Sequence, residues 1–200
     1  MVKGVVRPAN INDIHQIAFI HKSEFQTHFL GKYSIKLLEK FYANFLDKNI
    51  VLVNENSGVI VGFILGGTSK SLNLAKSQFI KNNKGRCLLE TLLRPQLYTS
   101  ALIRILKTVT VNQKSEEVPA METIRLLSIA VTPNVKGTGI AERLLKEFER
   151  IILSSREYGL SIKKSNKRAL NFYFKNGFQL ERETHDDIYL IKKIDSAKGI

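Results

Sequence analysis

Hydrophobic positions along this chain switch between two periods, alternation every second residue and stripes at spacings of three and four. Residues 5–9 read as a first strand. Asn12 and Asp13 then supply an N-cap and first turn to a helix whose inward stripe is Ile14, Ile17, Ala18 and His21. Residues 24–31 break the pattern as a loop rich in aromatic and polar groups. Ser34 is placed to cap a second helix with the face Leu37, Leu38, Phe41, Tyr42, Phe45 and Leu46. Residues 50–53 and 59–65 form two strands, and the intervening Asn54-Glu55-Asn56-Ser57-Gly58 is a hairpin signal. A further strand spans 123–131 and is followed by a helix to about Ser155, with Ile140, Leu144, Leu145, Phe148, Ile151 and Ile152 on one face. A short strand over 160–163, a short helix from Asn166, and strands at 178–181 and 187–194 complete the pattern. Residues 195–200 read as a frayed tail.

The stretch from Gly67 to Glu122 interrupts this order. A connection of that length should carry structure of its own. Leu88, Leu89, Leu92 and Leu93 predict one helix stopped near Pro95, and Ala101, Leu102, Ile105 and Leu106 predict another. From Lys70 to Lys107 there are eight basic residues and one acid, Glu90. Such a segment can cover a substrate site, form a dimer contact, or lie on an anionic membrane surface.

The chemistry concentrates where the strand over 123–131 ends. Thr132-Pro133 breaks it, and Lys136-Gly137-Thr138-Gly139 leads at once into the amphipathic helix. A helix N-terminus carries unpaired amides and partial positive charge. Glycines at 137 and 139 let the main chain approach an anion without a Cβ and permit a concave nest of N–H groups. No Lys-Ser/Thr follows the second glycine, so this is not a P-loop. Glu142 stands where the dinucleotide fingerprint needs a third glycine or alanine.

Downstream, Asn166-Lys167-Arg168-Ala169-Leu170-Asn171-Phe172-Tyr173-Phe174-Lys175-Asn176-Gly177-Phe178 reads as a capped helix closed by a C′ glycine and followed by a strand. With the loop upstream, it resembles the GNAT superfamily, the GCN5-related N-acetyltransferases. Their segments look like V-x-P-x-x-(R/Q)-G-x-G-(I/L)-(G/A) and then N-x-x-A-x-x-F-Y-x-x-x-G-F. Here these are Val131 to Ala141 and Asn166 to Phe178. Lys136 departs from the usual Arg or Gln; it keeps the charge but lacks the planar fork of arginine.

The resemblance implies an α/β (α+β) fold of the GNAT type. Its central sheet would be mixed, of about seven strands flanked by helices. One domain would cover residues 1–195, with residues 67–122 as a helical insertion between the third and fourth strands and 196–200 as a tail. It implies an N-acetyltransferase that uses acetyl-CoA as co-substrate and needs no metal. Main-chain amides of Lys136, Gly137, Thr138, Gly139, Ile140 and Ala141 would hold the pyrophosphate. The strand edge at Ile129, Ala130 and Val131 would bind the pantetheine arm beside a bulge that splays the strand. An amide at Ile129 or Ala130 would polarise the thioester oxygen. Tyr173 matches the residue that relatives use as general acid toward the leaving thiolate, and Asn166 would bond the pantetheine or act as an N-cap. No base is legible: Ser128, Glu24, His28, Glu90 and His21 are candidates, as is proton loss through ordered water. The insertion and the 25–46 region are loosely similar to acetyltransferases of polysaccharide and amino-sugar pathways. The implied acceptor is therefore a primary amine on a small molecule, first an amino sugar, phosphorylated or nucleotide-linked. A protein N-terminus or lysine, or a non-catalytic acetyl-CoA-binding module, are the rival readings.

Composition narrows this in two places. Across 200 residues, Lys and Arg outnumber Asp and Glu by 31 to 18, a formal net charge of +13. That field attracts polyanions such as coenzyme A and phosphorylated substrates. No nucleic-acid recognition motif accompanies it. The single cysteine, Cys87, precludes an intrachain disulfide and fits a buried thiol in a reducing compartment. The first residues run straight into a strand without a signal-peptide core. A cytoplasmic protein, monomeric or homodimeric, is expected.

Overall fold

The computed structural model describes residues 4–26, 28–93 and 123–194. Its seven strands are β1 (Val5–Pro8), β2 (Ile50–Asn56), β3 (Val59–Thr68), β4 (Ile124–Val131), β5 (Glu157–Lys163), β6 (Gln179–Glu183) and β7 (Asp187–Lys193). They form one sheet in the order β1-β2-β3-β4-β5-β7-β6. Every neighbouring pair is antiparallel except β4 and β5. A parallel pair needs a long crossover, here supplied by a helix. The β2–β3 hairpin turns at Ser57 (φ 50°) and Gly58 (φ 79°), two successive left-handed residues that match the twist of the flanking strands.

Helices α1 (Ile14–Glu24), α2 (Ile35–Ala43) and α3 (Ser69–Asn82) cover one face of the sheet. Ile17, Ile20, Leu37, Phe41, Phe45, Leu72 and Phe79 pack there against Val53, Phe63 and Leu65. Next along the chain comes α4 (Lys84–Leu92). Helices α5 (Ile140–Ile151) and α6 (Lys167–Lys175) take the other face, where Leu144, Leu145, Phe148 and Tyr173 meet Ile64, Leu126, Leu160 and Leu190. A Cβ on Gly66 would fall 2.5 Å from the Phe148 ring, so glycine there lets α5 seat directly on β3. The stripe predicted on α5 is buried except for Ile151, at the last turn, which is 42% exposed.

The described part of the 67–122 insertion is helical. β3 runs to Thr68, and Thr68 then caps α3 by accepting from the Ser71 amide at 3.1 Å. The sequence pattern does not announce α3, although Leu72, Ala75 and Phe79 bury one side of it at spacings of three and four. Helix α4 matches the predicted one, but with the opposite side inward. Leu88, Leu89, Leu92 and Leu93 are exposed, and the acid Glu90 is buried. The reason is polar: the Glu90 carboxylate takes the Ser34 amide at 2.7 Å and the Ser34 hydroxyl, which ties α4 to the start of α2. Tyr33 and Thr91 hydroxyls add a 3.1 Å bond. Glu90, one of the candidate bases, is thus a structural tie. The predicted helix through Ala101 and Ile105, and the 195–200 tail, lie outside the described residues. Cys87 is partly buried against the core, and burial pushes its thiol pKa up.

Glu90→Ala should leave the Ser34 amide without its acceptor and destabilise the fold by about 2 kcal/mol, roughly 4–8 °C in a thermal melt. A melt unchanged within a degree would show that the tie contributes nothing.

Candidate active site

The site starts from a defect in pairing. Leu65 lies opposite Ser128 and Gly66 opposite Leu126, so Leu127 is an extra residue in β4. Leu126 packs toward α5, whereas Leu127 and then Ser128 both turn to the α1–α2 face. A bulge bends the strand that carries it. Accordingly, β4 and β5 pair only at Ile124–Tyr158 and Arg125–Gly159, although both strands continue well beyond. A wedge-shaped cleft opens between them, lined by main chain.

The alternation of the ladder decides which groups face the cleft. The Thr132 amide donates to Val61 at 2.9 Å, so in register Ala130 and Ser128 also bond β3. Ile129 and Val131 lie between them and turn N–H and C=O toward the open side. Of the three strand residues predicted to bind the pantetheine arm, two therefore offer main-chain groups to the cleft. Ala130 offers none; its amide is paired within the sheet. Of the two oxyanion donors that the family resemblance implies, Ile129 alone is available.

Beyond β4 the chain makes a short 3-10 turn over Pro133–Val135, anchored by buried Val135. Gly137 (φ 81°) and Gly139 (φ 83°) are left-handed, and a Cβ at either would meet nothing within 4 Å. The Thr138 hydroxyl folds back onto the Val135 carbonyl at 2.7 Å. The first backbone bond of α5 runs from Arg143 to Gly139 at 3.1 Å, and no side chain caps the helix. The amides of Ile140, Ala141 and Glu142 thus point out of the helix into the open space before Gly137 and Gly139. This is a cradle of N–H groups at a helix start, and its chemistry fits a diphosphate.

Lys136 is not free beside the cradle. Its ammonium pairs with Glu24, at the end of α1, at 2.5 Å, with both side chains largely covered. Glu24, another candidate base, is therefore already engaged by a cation on the cofactor side.

Across the cleft, Asn166 caps α6 by accepting from the Ala169 amide at 3.1 Å, and its Nδ2 has no partner among the described residues. Gly177 (φ 84°) closes the helix. Tyr173 is 6% exposed, held edge-on between Phe172 and Phe178. Burial raises its phenol pKa, so the group is a neutral donor, and its hydroxyl has no hydrogen-bond partner among the described residues.

On the opposite face, the buried Tyr42 phenol lies 2.6 Å from Nδ1 of His21, and burial raises its pKa while the neighbouring Ser128 opposes that rise. Burial, more than the nearby His28 and Lys22, lowers the His21 pKa to about 4. His28 is also lowered, by burial and then by Lys163. In the sequence Tyr42 is one member of an apolar stripe; the signal that singles it out is that a tyrosine among Leu and Phe needs a partner for its hydroxyl. No group of side chains that could hold a metal occurs among the described residues.

Comparison with known proteins agrees with this architecture. A family model described as an acetyltransferase (GNAT) domain matches residues 47–180. Similar solved structures include an N-acetyltransferase from Staphylococcus aureus Mu50, 19% identical, TM-score 0.63, covering 94% of this chain and 99% of that one. The PaiA N-acetyltransferase from Thermoplasma acidophilum, in complex with coenzyme A, is 16% identical with TM-score 0.56, covering 94% and 98%. The ribosomal-protein-S18-alanine N-acetyltransferase from Escherichia coli is 14% identical with TM-score 0.59, covering 97% and 96%. A search of curated protein sequences finds no match. The splayed strands, the cradle at the start of α5 and the family match together make this chain a member of the GNAT family, an acetyl-CoA-dependent N-acetyltransferase.

Proposed function

We propose that the acceptor is a primary amine on a small, anionic molecule, with an amino sugar or nucleotide-linked amino sugar first, acetylated by direct transfer. In this reading the amides of Gly137, Gly139, Ile140 and Ala141 hold the diphosphate of acetyl-CoA, those of Lys136 and Thr138 being bonded to the Pro133 and Val135 carbonyls at 3.3 Å. Ile129 and Val131 extend β4 with the pantetheine arm, and the Asn166 amide group bonds it from α6. The Ile129 N–H points at the thioester oxygen and stabilises the charge that develops on it. Tyr173 donates to the departing sulfur. A thiol near 8.5 and a tyrosine near 10 make full proton transfer uphill by about 2 kcal/mol, and burial increases that gap. The phenol therefore acts as a hydrogen bond that strengthens as the thiolate forms. Cys87 sits in α4 among core contacts and takes no part, so no acyl-enzyme is required.

The acceptor comes from the α1–α2 face, opposite the departing sulfur. The observation that carries its charge is the excess of basic residues, a formal net charge of +13; Lys163, near His28, is itself paired with Asp187 at 2.9 Å. A positive field attracts phosphate or nucleotide groups and repels polyamines. Helix α4, fastened to Ser34, walls the same side. The reading places the enzyme in the cytoplasm, where acetyl-CoA and such acceptors meet.

Thiol release from acetyl-CoA with a panel of amino sugars, nucleotide-linked amino sugars and peptides tests this. Turnover should be greatest with the phosphorylated or nucleotide-linked amines. Raising the salt concentration should raise KM for them roughly tenfold more than KM for a neutral amino sugar. Preference for a peptide N-terminus would favour the second reading, which the S18-alanine acetyltransferase among the structural neighbours supports.

A further inference from the structure

We propose that the outer side of α4, with the end of α3, is a docking surface for an anionic membrane. Neither helix contributes to the phosphate cradle or to the Tyr173 contacts, and the proposal does not depend on what the site acetylates.

Helix α4 is mounted with its polar side inward. Cys87, Glu90 and Thr91 share that side, at spacings of three and four. Glu90 takes the Ser34 amide at 2.7 Å, Thr91 meets the Tyr33 hydroxyl at 3.1 Å, and Cys87 packs against the core. These contacts fix the helix about its own axis. Leu88, Leu89, Leu92 and Leu93 then point away from the protein, 61%, 55%, 57% and 70% exposed. Single exposed leucines are ordinary, but a run of them along one helix side makes an apolar ridge, and such patches mark interaction surfaces.

Charge decides which partner fits the ridge. Glu90 is the single acid in α3 and α4, and it is buried and shared with Arg86 at 3.6 Å. Lys70, Lys81 and Lys84 are exposed and have no acidic partner among the described residues. Viewed along α4, Lys84 and Arg86 flank the leucines on either side. On α3, Lys70, Leu74 and Lys81 form one outer row, opposite buried Leu72, Ala75 and Phe79. Both helices set their inner sides against the same core cluster, so the cations and the leucines lie on one side of the molecule.

A second copy of this chain fits poorly. A two-fold contact through the ridge would bring the same lysines together from both copies of a chain whose formal net charge is +13. An anionic bilayer answers both halves of the surface. Acyl chains take the leucines, and headgroup phosphates take the ammonium groups, whose long stems reach past the apolar boundary. The helix would lie in the interface plane; no described helix is long and apolar enough to cross a membrane.

The chain has no tryptophan, so Leu89→Trp places a single fluorescent reporter in the ridge. Vesicles of phosphatidylcholine with about one-third phosphatidylglycerol should shift its emission to the blue, and brominated acyl chains should quench it. Emission unmoved by these vesicles would overturn the proposal; emission already blue without them would assign the ridge to protein cover, by a second copy or by the chain's own residues 94–122. Cosedimentation supplies a second measurement. The wild-type chain should bind the anionic vesicles roughly tenfold more tightly than phosphatidylcholine alone. Leu88→Gln combined with Leu89→Gln and Leu93→Gln should weaken that binding by about tenfold or more. Lys81→Glu with Lys84→Glu should abolish the preference for anionic lipid. These positions are exposed, so the melt and the acetyl-CoA thermal shift should stay at wild-type values. Folded variants that bind as the wild type does, or a wild-type chain that binds neutral and anionic vesicles alike, would overturn the surface.

Discussion

Gly139→Asp should cost at least a hundredfold in acetyl-CoA affinity while the protein still folds. Gly139 is left-handed with open space where a Cβ would go, and aspartate is among the few side chains that adopt this conformation at modest strain. The new carboxylate enters the space that the cradle amides face. One unit of like charge about 5 Å from a phosphate costs about 3 kcal/mol at an effective dielectric near 20, roughly a hundredfold in affinity. Gly139→Asn adds nearly the same bulk without the charge and should lose far less. Isothermal titration with coenzyme A, beside a melt of the unliganded variants, measures both. Equal affinities for the Asp and Asn variants would mean that the diphosphate does not sit at this helix start.

Tyr173→Phe should lower kcat by one to two orders of magnitude and leave KM for acetyl-CoA within a factor of two. The hydroxyl meets the sulfur only as charge builds there, so its loss falls on the transition state rather than on binding. The phenyl ring keeps its edge contacts with Phe172 and Phe178, so the core should hold. Burial raises the phenol pKa above its usual value near 10, so the protonated, donating form persists through neutral pH and beyond. The wild-type rate should therefore show no fall assignable to this tyrosine below pH 10. An unchanged kcat in the variant would remove Tyr173 from the chemistry and leave it a core aromatic.

Much of the fold is legible in the sequence because each element declares itself locally. The stripe of Ile140, Leu144, Leu145 and Phe148, the cap at Asn166, and the glycines at 58, 137, 139 and 177 depend on spacing and on backbone conformations open mainly to glycine. Helix α3 escapes such a reading because its apolar side is narrow and polar residues surround it. Helix α4 is legible as a helix but with its burial inverted, because a carboxylate bonded to Ser34 outweighs exposed leucines. The site divides in the same way. The phosphate cradle and Tyr173 lie within contiguous motifs. The Tyr42–His21 pair and the Lys136–Glu24 pair each join segments distant in the chain.

By itself, then, the sequence determined the element order apart from α3, the left-handed turns, the charge and the helix start suited to a diphosphate, since these need only neighbouring residues. Which strand amides face the cleft, which polar groups meet inside it and which side of α4 is buried were decided by the tertiary structure alone. A single extra residue at Leu127 changes the facing of Ser128 and the rest of β4, and side chains far apart in the chain meet only once the helices have packed.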